Sequence, residues 1–547
     1  MAKVLKVRCG PGTVLTTKIK KALVPERDWS SSASVRHEKI IVMASVIFVA
    51  WALSFIWRTS FIAVDDCRYF CLFDDAMISL RNALNFVRGE GLVWNPGEYV
   101  EGYTNTFMVL IMALGIFLFG SQGGVLSTQL LAVPTILLLS YCSREISFFL
   151  TKEKDEQTRV LVGRSVFIMI LCCYPLLYLS LMGMETGFLS LFFLFSILSL
   201  LRYMEKGLSR DIIMASFSLS AAFLTRNDSL ILAAPFIGYA FLRQRKLLPW
   251  VFWGTILLGS VVGLSLFRLT YYGEILPNTY FLKLGGIPLW ARIDNGVRYT
   301  LLSLAISAPL FMAVLYDWLC YDRTWIKTPF FATIASAFLY QIYIGGDAWR
   351  LWRMILPVVP LLFMLFALSM ISLKRYFFSL RYVLVPRVVF PIVMLLVFNV
   401  NYLPEIFFLD SPFHVETNRH HVNIAIAISE VTSKNSSVGV ISAGTIPYFS
   451  DRHAIDFLGK SDRYIARLSP YLDKTPSSRI MRYTPGHNKY DLGYSIFKLR
   501  PTYIQQAEYV FQDYTDKAQG VYVLKHYKGV PLLLLRNSPD VFWEKLN

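Results

Sequence analysis

Charge is scarce in this chain, and acidic charge is scarcest: 17% of its 547 residues are charged, with 37 carboxylates against 54 Lys and Arg. Soluble domains carry about 25% charged residues. A chain this short of charge, with 55% hydrophobic and 15% aromatic residues, reads as an integral membrane protein. Cysteine is also sparse. Seven in so long a chain make no disulfide framework, and Cys142, Cys172 and Cys173 sit in apolar runs where a thiol acts as a small hydrophobe, while Cys67 and Cys71 could pair in an oxidising compartment. No repeat of fixed period and no low-complexity segment is visible. The net charge of +17 does not point to nucleic acid, because the basic residues cluster in short groups between apolar runs, as cytosolic loops do.

Apolar runs long enough to span a bilayer, roughly 20 residues each, occur near 39–57, 125–144, 162–182, 186–202, 211–225, 229–243, 249–270, 300–316, 328–344, 354–372 and 388–402. The shorter run 107–120 is ambiguous, and charge resolves it. If it crossed the membrane, the clusters around Arg144 to Arg164, Arg202 to Arg210, Arg243 to Lys246 and Lys374 to Arg387 would no longer all face the cytosol. It is therefore expected to be re-entrant or interfacial. The expected fold class is a polytopic α-helical membrane protein with about eleven spans, interfacial helices in a first outer loop (58–124) and a C-terminal soluble α/β domain. The domains follow: a cytosolic basic tail (1–38), a transmembrane domain (39–402) and an extracytoplasmic domain (403–547), whose runs SSVGVISAGTIPYF and GVYVLKHYKGVPLLLL read as strands and VNIAIAISEVTSK as a helix. The tail is too long for the leading segment of a cleaved signal, so the first span reads as a retained anchor.

This topology gathers the polar motifs on one side. The most concentrated is FDDAMISLRNALNFVRGEGLVWNPGEYVEGYTN (73–105). On a helix at about 100° per residue, Ala76, Met77, Leu80, Ala83, Leu84 and Val87 share one side, while Asp74, Arg81, Asn85 and Arg88 line the other, the pattern of a helix lying flat at the interface. Adjacent carboxylates then diverge: Asp74 shares its stripe with Arg81 and Asn85, and Asp75 with Ser79 and Asn82. One Asp could serve only as an N-cap. A second, desolvated and beside a like charge, would have its pKa raised, as suits a general base.

Together with GMETGF, LTRNDSLILAAP, YYGEILPNTYFLK and GGDAWRLWRMILPVVP, this stretch resembles, in order over 73–360, the GT-C glycosyltransferases similar to the mycobacterial terminal arabinofuranosyltransferase and its bacterial relatives that decorate surface glycans; ISAGTIPYFSDRHAIDFLGKSD extends the resemblance into the C-terminal domain. The resemblance implies a polyprenyl-phosphate sugar donor, inversion at the anomeric carbon, Asp74 as catalytic base with Asp75 its companion, and a soluble domain that helps hold an acceptor glycan or glycolipid. The expected location is the bacterial plasma membrane, multi-pass, with the N-terminus in the cytosol as the basic tail indicates. The sugar would be arabinofuranose or a related pentose or hexose. The sequence departs from the pattern at Asn227, where a Pro is common, and at Trp352, where an Arg is common.

Cations are needed where negative charge develops on a phosphate leaving group. Lys283, Arg226 and Arg353 are the candidates, each also readable as a headgroup anchor. Glu101, Tyr103 and Asn105 supply the amide, carboxylate and ring that sugars require, or a structural turn. Glu185 would cost about 2.5–3.5 kcal/mol at mid-bilayer, so it belongs at the rim, binding sugar or capping a helix. Asp347 lines a cavity or ends a span, and Arg81 joins the sugar and acceptor group. A divalent cation beside the acids is left open, since no His/Asp/Glu spacing demands one. The rival function is a flippase or transporter of lipid-linked sugars, which would place ionisable groups at the bilayer midplane in two related halves.

Overall fold

The computed structural model describes residues 32–244, 246–320, 325–349, 351–377, 399–472, 483–506, 518 and 520–546. Most of the expected basic tail and of the expected span 388–402, together with Arg245, Arg381 and Arg387, lie outside the described residues. The first half runs α1 (Ser32–Thr59), α2 (Asp74–Val87), α3 (Thr106–Leu150), α4 (Glu156–Leu171), α5 (Tyr174–Leu181), α6 (Thr186–Lys206) and α7 (Ser209–Thr225). Then follow α8 (Ser229–Arg243), α9 (Leu247–Tyr272), α10 (Asn278–Lys283), α11 (Leu289–Cys320), α12 (Thr328–Ile344) and α13 (Val359–Phe377).

Among the described residues five helices are long and apolar enough to cross a membrane: Glu38–Thr59 within α1, α3, α6, α9 and α11; α4 and α5, bent by 53° at Cys172 and Cys173, make a sixth if taken together. The chain is thus a multi-pass membrane protein, but this criterion does not reach the eleven expected spans. Length is the reason at three of them, while most of 388–402 lies outside the described residues. α7, α8 and α12 have 17, 15 and 17 residues, and at about 1.5 Å per residue such helices fall short of a hydrocarbon core about 30 Å thick. The run 107–120 forms the first limb of α3. Gly120 (φ 73°, ψ 178°) breaks the helical geometry, and the chain folds back so closely that a Cβ at Gly124 would overlap Ile116 and one at Gly115 would overlap the Ser127 hydroxyl.

The C-terminal part carries α14 (Val415–Val431), β1 (Ser437–Val440), α15 (Thr445–Ser450), β2 (His453–Asp456), α16 (Arg463–Ala466), β3 (Tyr503–Ile504), β4 (Tyr522–Tyr527) and β5 (Val530–Leu535). The strands form one sheet in the order β2-β1-β3-β5-β4, with β1 parallel to both β2 and β3, and β5 antiparallel to β3 and β4. The β4–β5 hairpin turns through Lys528 (φ 48°) and Gly529 (φ 77°), the left-handed pair a two-residue turn needs. Ile424, Ala427 and Ile428 of α14 pack on Val438, Val440, Leu532 and Leu534, and this core also takes in Ile78 of α2 and Trp94. Met77, Leu80 and Leu84 of α2 belong instead to the core of the membrane helices. Helix α2 is therefore a shared wedge between two layers. The expectation of a helix lying flat with its polar stripe in water is corrected here: Arg81 and Asn85 are buried. The Arg81 guanidinium donates to the carbonyls of Trp94, Pro447 and Arg452. Cys67 and Cys71 are both free.

Candidate active site

Where α2 meets the ends of α7, α9 and α12, a cavity of about 430 Å³ opens, lined among others by Asp75, Tyr103, Asn105, Glu185, Arg226, Lys283, Asp347 and Arg353. Residues drawn from five separate sequence motifs thus converge on one space. The local folding explains the placement of each. Asp74 and Asp75 fall in the first turn of α2, whose N-cap is Phe73 and makes no side-chain cap, so neither carboxylate caps its own helix. The two diverge as adjacent helical residues must.

Asp75 enters the cavity. Its Oδ2 accepts from Arg353 Nη1 at 2.9 Å and its Oδ1 from Lys460 Nζ at 2.7 Å. Asp74 turns toward the C-terminal domain and accepts from the backbone N–H groups of Gly444 and Thr445, the latter at 2.9 Å, at the start of α15. Asp75 thus lines the cavity and Asp74 does not, whereas the expectation gave Asp74 the base's place and Asp75 the companion's. The environments also push the two carboxyls apart. For Asp74, burial prevails and raises the pKa, against Lys460 and the N–H of Thr445. For Asp75, burial raises it too, but Lys460 and Arg353 overcome that and hold it well below the usual carboxylate range.

Cations and carboxylates around the cavity are almost completely matched. Arg353 Nη2 reaches Asp347 Oδ1 at 3.1 Å. Arg226 forks onto both oxygens of Asp228 (3.0 and 2.6 Å) and donates to Glu185 at 2.9 Å. Arg268 holds Glu101 in a bidentate pair at 2.7 and 2.9 Å and donates to Asn227 Oδ1 at 3.0 Å. A Pro at 227 could not make that last bond, so the departure at this position has a structural use.

Lys283 differs. It ends α10, which starts after Pro277 and stops at Gly285 and the left-handed Gly286 (φ 69°), and its carbonyl is held by the Tyr483 hydroxyl. Its ammonium lines the cavity with no hydrogen-bond or ion-pair partner among the described residues. Burial first, then Arg353, push its pKa down to about 8. A cation with no bonded counter-ion among the described residues, at a wall of matched pairs, is a place for an anion that arrives from outside.

Of the sequence candidates, three lie off the cavity wall: Asp74, Arg81 and Glu101. Glu101 is buried behind the wall and acts through Arg268. Tyr103 does line it, with its hydroxyl 3.0 Å from that of Tyr272. Sequence reasoning missed Arg268 and Lys460. Arg268 stood as a lone charge in the apolar run 249–270, a signal in its own right. Lys460 sat inside the quoted DFLGKSD segment, but nothing local tied it to a carboxylate near residue 75. Among the described residues no group of three His, Cys, Asp or Glu is placed to hold a metal ion. At the cavity Asp75, Glu185, Asp228 and Asp347 each share an oxygen with Arg or Lys.

Membrane helices that converge on a polar cavity under an α/β domain define a polytopic membrane protein built around that cavity. The chain is similar in structure to ArnT from Cupriavidus metallidurans in the apo state, at 13% identity and a TM-score of 0.50 over 75% of this chain and 85% of that one. It is also similar to the oligosaccharyltransferase of Archaeoglobus fulgidus tethered to an acceptor peptide, at 12% identity and a TM-score of 0.50 over 95% of this chain and 75% of that one. Residues 413–536 match a family described as a domain of unknown function, DUF8728. No curated protein matches the chain.

Proposed function

We propose that this protein is an inverting glycosyltransferase that moves a sugar from a polyprenyl-phosphate donor to a hydroxyl of a cell-envelope glycan or glycolipid on the outer face of the membrane. The observation that carries the reading is the Lys283 ammonium, with no bonded partner among the described residues, in the same cavity as the ionised Asp75. A phosphate fits the first and an acceptor hydroxyl the second. The fold shared with an oligosaccharyltransferase is consistent with it.

In this reading the acceptor oxygen attacks the anomeric carbon from the face opposite the phosphate. The new C–O bond forms as the old one to the phosphate oxygen breaks, and the electron pair leaves with the polyprenyl phosphate. Asp75 takes the acceptor proton, while Lys283 and Arg353 meet the charge growing on the leaving oxygen, Lys as a point charge and Arg through its planar fork. Asp75 is a weak base in the free protein because Lys460 and Arg353 hold its proton affinity down. An arriving phosphate neutralises part of that positive field, so the carboxylate becomes more basic when the donor is bound. Asn105, Glu185 and Asp347 face the remaining space and offer the acceptors and donors that sugar hydroxyls need. An arabinofuranose or a related pentose or hexose is the sugar favoured by the sequence resemblance. Deleting the gene and analysing surface glycans tests the reading: one terminal sugar should vanish and return with the native gene, and unchanged glycans would count against it.

A further inference from the structure

Lys460 belongs to the C-terminal domain, yet its ammonium lies in the cavity of the membrane helices, and the segment that carries it is built for that delivery. Asp456, at the end of β2, is buried and gathers three backbone donors: Leu458 N–H at 3.0 Å and Gly459 N–H at 3.1 Å on one oxygen, and Ser461 N–H at 2.8 Å on the other. The turn this closes needs Gly459 (φ 76°), where a Cβ would also run into Ile465. From the membrane side, Asn278 donates to the carbonyls of Gly459, Lys460 and Asp462 at 3.0, 3.1 and 3.1 Å. Gly102 approaches so closely that a Cβ there would overlap the Ser461 hydroxyl. Loops fixed on both sides in this way hold a side chain in one place, because few backbone groups remain free to rearrange.

We propose that Lys460 is a positioning residue for Asp75: carried in by the turn at 456–462, its ammonium, 2.7 Å from Asp75 Oδ1, fixes the orientation of the Asp75 carboxylate and sets a positive charge beside it. The domain of unknown function thereby completes the centre it covers. The inference rests on the reading of Asp75 as base for its catalytic meaning, but the coupling of the two residues stands apart from it. The groups that face Asp75 are Asp74 on its own helix, Arg353 and, through it, Asp347 from the segment after α12, Lys283 on α10, and Lys460 from the C-terminal domain. His487, held neutral by burial with a pKa of about 4, and His414, also at about 4, carry no charge at neutral pH and do not compete with this pairing. Arg353 remains in every variant below, so a change in Asp75 reports the Lys460 contribution.

The test is the pH dependence of Asp75 modification by dicyclohexylcarbodiimide, which reacts with protonated carboxyls, mapped by peptide mass spectrometry on the full chain in detergent. In Lys460→Gln the half-labelling pH should rise by about one unit or more, the effect of removing a neighbouring opposite charge. Lys460→Arg should stay with the native protein. Asn278→Ala, which frees the turn without touching either charge, should shift the midpoint in the same direction by less and serves should Lys460→Gln fail to fold. Unchanged midpoints in the folded variants would overturn the proposal. Transfer assays on the same preparations separate the two claims. A shifted midpoint in Lys460→Gln, beside a native protein that transfers no sugar from any polyprenyl-phosphate donor, would sink the transferase reading and leave the Lys460–Asp75 coupling in place.

Discussion

Lys460 Nζ lies 2.7 Å from Asp75 Oδ1, although 385 residues separate them in the chain. This pair ties the C-terminal domain to the start of the first long loop. The adjacent bonds from Gly444 and Thr445 N–H to Asp74 make a second tie one residue away. The two carboxylates thus divide the work: Asp74 docks a domain, and Asp75 faces the cavity.

That division is open to measurement. Asp75→Asn should lower kcat by about 10²- to 10⁴-fold, the usual worth of a general base, with thermal unfolding in detergent little changed. Asp74→Asn should keep most of the activity. Because burial raises the Asp74 pKa in the folded protein, folding takes up a proton there, and the native protein should gain stability over Asp74→Asn as pH falls through the folded pKa. A mutant that loses stability in parallel with the native protein would deny the burial of that charge.

Lys283 gives a second pH signature. Its ammonium is charged below its pKa of about 8 and neutral above it. Donor affinity should therefore weaken as pH rises through that value, and Lys283→Gln should weaken binding at neutral pH and flatten the dependence. Isothermal titration with a polyprenyl phosphate in detergent checks both. A Lys283→Gln protein that binds the lipid phosphate as the native one does would remove this residue from the anion site.

Gly444 lies where α15 starts on α2, and a Cβ there would collide with the Asp74 carbonyl oxygen and the Met77 side chain. Gly444→Ala should force the C-terminal domain away from α2, lowering the unfolding temperature and lengthening the path from Lys460 to Asp75. Gly238→Ala is the control, since a Cβ there meets nothing within 4 Å.

The buried pair of Arg268 and Glu101, with side chains 5% and 3% exposed, predicts non-additive mutations. Arg268→Met alone leaves a buried carboxylate without its fork and should cost about 3–5 kcal/mol, whereas adding Glu101→Leu should recover much of the loss. A double-mutant cycle on unfolding in detergent measures the coupling.

How far the sequence revealed the site depends on what kind of neighbour each residue has. Asn105, Glu185, Arg226, Lys283, Asp347 and Arg353 all line the cavity; all but Lys283, which stood at the end of a loop motif, were visible as polar residues beside an apolar run, a position where bilayer physics leaves few uses. The choice between Asp74 and Asp75 was not visible. Helical spacing shows that they diverge, but which direction is the cavity depends on α15 docking from some 370 residues away. The polar stripe of Arg81 and Asn85 misled for the same reason: it is paired to backbone carbonyls, several of them in a distant layer, and periodicity cannot tell water from a protein surface rich in carbonyls. Hydropathy also marked α7, α8 and α12 as spans, and it does not reveal where a helix stops short of the bilayer's thickness.

The most direct measurement is transfer of a labelled sugar from polyprenyl phosphate by the purified full chain, native and Asp75→Asn side by side, with acceptor glycan from cells lacking the gene. The account predicts label in the glycan with the native protein and at most a small residue with the variant. Equal transfer by both, or none by the native protein from any such donor, would contradict it.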